Sequence, residues 1–290
     1  MGLLRRKVSL QSVGSNLRPQ IVAPFQMRET AVVKTSGLVC SLLMLLPGAV
    51  LAASAFDGIW KMNVNHVQLS DKPNVYVIVG DSYTCSSCGP AYTVKADGTD
   101  QKVVGHDFDT VAITLTPTSL SIVRKLEGKT LSTAKAVLSA DGNGTETQAT
   151  YTNGGQPVVV KSSFKRIGAA TPGASPFSGS WLQTNIESVS DAGTSETLAM
   201  TDAGLTMKAN GQSYEAKFDG RKYPVAGDAT HTMVVLKKIS ATEIVESDYA
   251  HGKLVETLHM KVSADGKTMH VVDTPLQTGQ VTRYTLDKQP

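Results

Sequence analysis

Two small groups of residues have types and spacings that could do chemistry. The first is Cys85-Ser86-Ser87-Cys88. Two thiols three positions apart fit a local disulfide, a redox-active pair or part of a zinc site. The second is a pair of loops, Gly105-His106-Asp107-Phe108-Asp109 and Gly227-Asp228-Ala229-Thr230-His231, each combining an imidazole with carboxylate. Zinc takes three or four donors in fixed geometry. Each loop offers only two or three, and the histidines fall at different places in the two loops. Solvated loop residues are therefore expected there, and no metal. Cys85, Cys88 and His106 would make a three-ligand site only if the cysteine segment met the His106 loop. His66, His251, His259 and His270 stand alone. No Ser/His/Asp set can be assembled from spacing, and no glycine-rich phosphate loop occurs. The expectation is a protein that is not an enzyme and has no cofactor.

The elements that must position these residues come in two copies. Phe56-Asp57-Gly58-Ile59-Trp60 returns as Phe177-Ser178-Gly179-Ser180-Trp181, which accounts for both tryptophans of the chain. Tyr92, Asp97-Gly98, Gly105 and Thr110 recur at one constant offset as Tyr214, Asp219-Gly220, Gly227 and Thr232. Gly128-Lys129 and Ser139-Ala140-Asp141-Gly142 then match Gly252-Lys253 and Ser263-Ala264-Asp265-Gly266, two residues out of register with the earlier set. One short indel inside a long match is the trace of tandem duplication. The alignment sets Cys85 against Met207 and Cys88-Gly89 against Asn210-Gly211. Both are hairpin tips, with no helix to activate a thiolate. A Cys85–Cys88 disulfide is the plainest reading; a metal or redox role and two free thiols are the alternatives.

Each copy alternates with period two. Tyr92, Val94 and Ala96 alternate with Thr93, Lys95 and Asp97, and Tyr214, Ala216 and Phe218 alternate with Glu215, Lys217 and Asp219, as half-buried strands require. Further β-rich runs follow, separated by Asp-Gly, Asn-Gly and His-Gly turn pairs. No stretch after residue 55 sustains a helical period over three turns. The pattern predicts an all-β fold of two tandem small antiparallel up-and-down barrels with about eight strands each, closed to remove exposed edges. The domains read as 56–168 and 177–290, with the Gly/Ala/Pro-rich stretch 169–176 as linker.

Phe-x-Gly-x-Trp at the head of such a meander resembles the first-strand motif of lipocalin-like, or calycin-type, barrels. The whole resembles tandem lipocalin-like proteins exported by bacteria, most without an assigned function. The resemblance implies that the Trp packs across the barrel floor and that the Gly permits close backbone approach.

Residues 1–55 read as a leader, with Met27 as the expected start. Leu38 to Leu46 is a short apolar run preceded by Arg28 and Lys34, and Ala53-Ser54-Ala55 is a small-x-small cleavage site. That is the grammar of a secretory signal peptide, and the run is too short for a span of about 20 residues. Cys40 precedes most of the run, which argues against lipid attachment. The leader holds six of the 28 Lys+Arg and one of the 25 Asp+Glu, leaving 22 against 24, a slightly acidic balance of about −2. No basic cluster remains to follow a phosphate backbone, so nucleic-acid binding is not expected. The chain is expected in the periplasm or outside the cell, with no membrane span after the leader. The functional expectation is a small apolar or amphipathic ligand held in one or both barrels, between Tyr92 and Tyr214 as walls and Trp60 and Trp181 as floors. The alternative is a cell-envelope structural or protein-interaction module whose barrels are packed solid.

Overall fold

The computed structural model describes residues 53–290; the expected leader, with Cys40 and the run Leu38 to Leu46, lies outside them. The first copy comprises β1 (Gly58–Gln68), β2 (Asn74–Val79), β3 (Ser82–Cys85), β4 (Tyr92–Lys95) and the short β5 (Gln101–Lys102). It continues through β6 (Thr110–Leu115), β7 (Ser119–Leu126), β8 (Lys129–Leu138), β9 (Gly144–Tyr151) and β10 (Val158–Ile167). The second comprises β11 (Gly179–Val189), β12 (Ser195–Met200), β13 (Gly204–Ala209), β14 (Gln212–Lys217) and the short β15 (Tyr223–Pro224). β16 (Met233–Ser240), β17 (Glu243–Ala250), β18 (Lys253–Val262), β19 (Thr268–Pro275) and β20 (Thr282–Lys288) complete it. The fold is all-β, as the period-two pattern predicts. Among the described residues the one helical element is the 3-10 turn Asp191–Gly193.

Two antiparallel ten-stranded sheets form, in the orders β4-β3-β2-β11-β10-β9-β8-β7-β6-β5 and β14-β13-β12-β1-β20-β19-β18-β17-β16-β15. We call them barrel 1 and barrel 2. Each curls until its edges nearly meet, with Asp97 bridging to Thr114 in barrel 1 and Ser213 to Ala226 in barrel 2. Near-closure leaves little unpaired edge.

The sequence repeats and the barrels do not coincide. β1 pairs with β12 and β20, so the first strand of the first repeat completes barrel 2. Its place in barrel 1 is filled by β11, which pairs with β10 and β2. Barrel 1 is therefore the continuous stretch β2 to β11, and barrel 2 is β12 to β20 closed by β1. The domain boundaries read from the repeats, 56–168 and 177–290, are corrected accordingly. The stretch 169–176 joins neighbouring strands β10 and β11 of one sheet, with Ser175 N–H bonded to Ile78 O at 2.8 Å. The passages between barrels are instead residues 69–73 and 190–194. Both copies of the first strand carry the same Phe-x-Gly-x-Trp pattern, so either can meet the requirements of either barrel.

The motif itself has a physical account. Trp60 Nε1 donates to Phe56 O at 2.8 Å and Trp181 Nε1 to Phe177 O at 2.7 Å, which satisfies each buried indole. Across the last strand pairing, Lys288 Nζ lies 5.2 Å from the Trp60 ring and Arg166 Cζ 4.3 Å from the Trp181 ring. Such cations are attracted by the ring face. Arg166 also donates to the carbonyls of Gly142, Ser178 and Pro176. The glycine between the motif's aromatics is at φ +125° in Gly58 and +133° in Gly179, and a Cβ at Gly179 would lie 2.9 Å from Arg166 Nη1. Glycine thus makes room for the basic side chain that covers the tryptophan.

The barrels share a seam. Val67 and Leu69 pack against Val158, Val160 and Ile186 of barrel 1. The β9–β10 turn inserts into barrel 2: Asn153 Nδ2 donates to Asp228 Oδ1 at 2.6 Å, and Gly155 N–H to Asn210 O at 2.7 Å. The β19–β20 turn reaches back, Gln280 Nε2 donating to Asn74 Oδ1 at 3.0 Å.

Candidate binding cavity in barrel 1

The β7 sequence Ser-Leu-Ser-Ile-Val-Arg alternates so that Leu120, Ile122 and Arg124 all reach the inside of barrel 1, where they line a cavity of about 280 Å³. Trp181 and Phe164 line it at the end where β10 and β11 carry the Arg166–Trp181 pair. Tyr76, Tyr83 and Tyr151 form its aromatic side. Lys72, Cys85 and Cys88 also line it, together with Glu256, Asp273 and Gln280 of barrel 2.

Barrel 2 has the same topology but is filled. Residue by residue, in matching register, Ala134 of barrel 1 stands where barrel 2 has Leu258, and Ala136 where it has Met260. On the next strand Thr145 corresponds to Met269 and the near-isosteric Thr147 to Val271, and on β10 Ser162 corresponds to Tyr284 of β20. The barrel 2 residues are buried to 3 % exposure or less, in one continuous core with Trp60. An eight-stranded barrel has an interior just wide enough for packed side chains or one small ligand.

The cavity is electrostatically uneven. At the position of Arg124 barrel 2 carries Asp248. Among the described residues no carboxylate lies within ion-pair distance of Arg124. Its Nε is buried without a hydrogen-bond partner, and its guanidinium lies 5.5 Å from the Phe108 ring. Behind the cavity wall the rings continue as a ladder. Tyr76 and Tyr83 are 5.8 Å apart, Tyr83 and Tyr92 6.2 Å, Tyr92 and His106 5.1 Å, and His106 and Phe108 4.7 Å. Burial raises the pKa of Tyr76, Tyr83, Tyr92 and Tyr151, against a smaller lowering by nearby arginine, so the phenols stay protonated. Burial, with help from Arg124, pushes His106 down to about 4, so its imidazole is neutral at pH 7. The wall therefore presents hydroxyls, π faces and one fixed cation.

The residues singled out from the sequence are divided by this arrangement. Trp181 lines the cavity. Trp60 belongs to the filled core of barrel 2, and so does Tyr214, whose hydroxyl donates to Glu246 Oε2 at 2.7 Å. Tyr92 lies in the wall behind Tyr83 and beside Arg124, without a well-aligned hydrogen bond to it. Cys85 and Cys88 are joined by a disulfide, with Cα atoms 5.5 Å apart, at the hairpin end that borders the cavity. The two His/Asp loops are not solvated throughout, which corrects that expectation. His106 is 2 % exposed, folded inward by its stack on Phe108, while Asp228 is 6 % exposed and turned into the seam. Burial opposes ionisation of Asp228, but hydrogen bonds from Thr232, Asn153 and Thr230 more than offset it and hold its pKa low. Among the described residues no three His, Cys, Asp or Glu side chains form a metal cluster.

Arg124 and the small residues opposite it escape a reading based on shared landmarks, because they are where the copies differ. An arginine at an inward position of a period-two strand was the available signal. No protein-family model, curated protein or solved structure matches the chain.

Proposed function

We propose that the chain is an exported, non-enzymatic binding protein whose barrel 1 holds one small amphipathic ligand, with barrel 2 serving as its packed support. The observation that carries this reading is the asymmetry between copies of one fold. Four inward positions that are large in barrel 2 are small in barrel 1, and they border a cavity of about 280 Å³ with aromatic walls. That volume approaches the roughly 300 Å³ at which small-molecule sites begin. It is about twice the roughly 150 Å³ that accommodates benzene in an engineered apolar cavity. A disulfide suits an oxidising compartment, and among the described residues no helix is long and apolar enough to cross a membrane. The filled interior of barrel 2 fits the alternative role of an envelope or interaction module, for that half of the chain.

Native mass spectrometry of protein purified from its own source tests this. One small-molecule adduct per chain, lost on delipidation and absent from Ala136→Met, is the expected result. A clean apo mass together with a co-purifying protein would transfer the function to the outer surface.

A further inference from the structure

The binding reading leaves the chemistry of the ligand open, and the charge inside barrel 1 narrows it. We propose that the ligand is a monoanionic amphiphile, a medium-chain or one- to two-ring carboxylate, whose acid group pairs with Arg124 while its apolar body lies over Ala134, Ala136 and Trp181. This rests on the cavity being the binding site.

Three observations converge. Arg124 is a permanent cation on an inward position of β7 and lines the cavity. It has no carboxylate within ion-pair distance among the described residues, and its buried Nε is unpartnered. A guanidinium held in partly apolar surroundings without a counter-charge is unfavourable unless an anion completes it, and its planar fork matches a carboxylate in two parallel hydrogen bonds. The surrounding groups are complementary. The Tyr76, Tyr83 and Tyr151 phenols stay protonated and can donate to an anion without competing charge. Lys72 adds a second positive group to the lining. At Ala134, Ala136, Thr145 and Ser162 the wall is small where barrel 2 has large side chains. The carboxylates that border the cavity, Glu256 and Asp273, belong to barrel 2.

Isothermal titration calorimetry of the full chain, with octanoate, 1-octanol and octylamine at pH 7.5 and fixed salt, separates the readings. Octanoate is expected to bind at least about tenfold tighter than octanol, as a charge-assisted hydrogen bond to a partly buried group implies. Arg124→Gln is expected to abolish that preference and Arg124→Lys to retain part of it. Retained octanol binding also reports that the variants are folded. Equal affinity for octanoate and octanol in the native protein overturns the anion assignment but leaves the cavity as a binding site. A preference for octylamine does the same. An octanoate preference that survives Arg124→Gln overturns the role of Arg124. Absence of binding by all three probes overturns the anion assignment together with the cavity reading.

Discussion

Substituting Ala134 by leucine places in barrel 1 the residue that barrel 2 already has at position 258. Three heavy atoms are added over a cavity of about 280 Å³. At about 0.8 kcal/mol per buried methylene the transfer gain is ~2.4 kcal/mol. Ordering the leucine side chain removes roughly 0.5–1 kcal/mol. The net expectation is a stabilisation of about 1.5–2 kcal/mol, read as a rise of roughly 5 °C in the unfolding midpoint for a chain of this size. Closing the whole void at ~24 cal/mol per Å³ would give about 7 kcal/mol, so one substitution stays well below the ceiling. The reciprocal change, Leu258→Ala at a fully buried site, is expected to destabilise by about 2–5 kcal/mol. Chemical and thermal unfolding of both variants against the native chain measure the two effects with opposite signs. A loss of more than about 1 kcal/mol on Ala134→Leu, the signature of overpacking, would refute the claim that this barrel is hollow.

Two further outcomes follow from the fold. Proteolytic nicking within residues 171–175 is expected to leave the fragments bound as one particle until denaturant is added, because each carries a strand that the other's barrel needs; fragments that part as folded monomers under native conditions would contradict the exchange. His106 has a native pKa of about 4 against an unfolded value near 6.5. The unfolded chain therefore takes up a proton below pH 6.5 that the native chain refuses, and stability falls as pH drops, levelling off below about 4. Between pH 7 and pH 5 the loss from this group is roughly 2 kcal/mol, and a His106→Asn variant whose stability falls just as steeply over that range would refute it.

The β content, the duplication and the hairpin disulfide were legible because each rests on local chemistry: alternation of side chains, recurring turn pairs, two cysteines at a tip. Barrel membership was not, because β1 and β11 carry the same motif and satisfy the same pairing rules in either sheet. The stretch 169–176 looks like a linker by composition, yet it is a loop between adjacent strands, since small residues and prolines serve both roles. The tyrosines of the candidate site were drawn from positions that the copies share. Shared positions report the common scaffold, and so Tyr214 and Trp60 fall in a filled core. Divergent positions report what one copy does alone. Arg124 against Asp248, and Ala136 against Met260, were visible in the alignment but carry meaning only once the register shows that all of them face inward.

The pairing of Trp60 with Lys288 joins the two ends of the described chain. During synthesis or export, all strands of barrel 1 emerge in one uninterrupted run. Barrel 2 takes its first strand from before barrel 1 and the rest from after it, so β1 meets β12 only once barrel 1 has emerged and β20 only when the last described strand has. Barrel 1 can close its sheet as soon as β11 has emerged to pair with β2. The solid barrel acts as a late clasp, formed only when the C-terminal strand arrives. Loss of β20 would leave β1 paired with β12 alone, as an exposed edge.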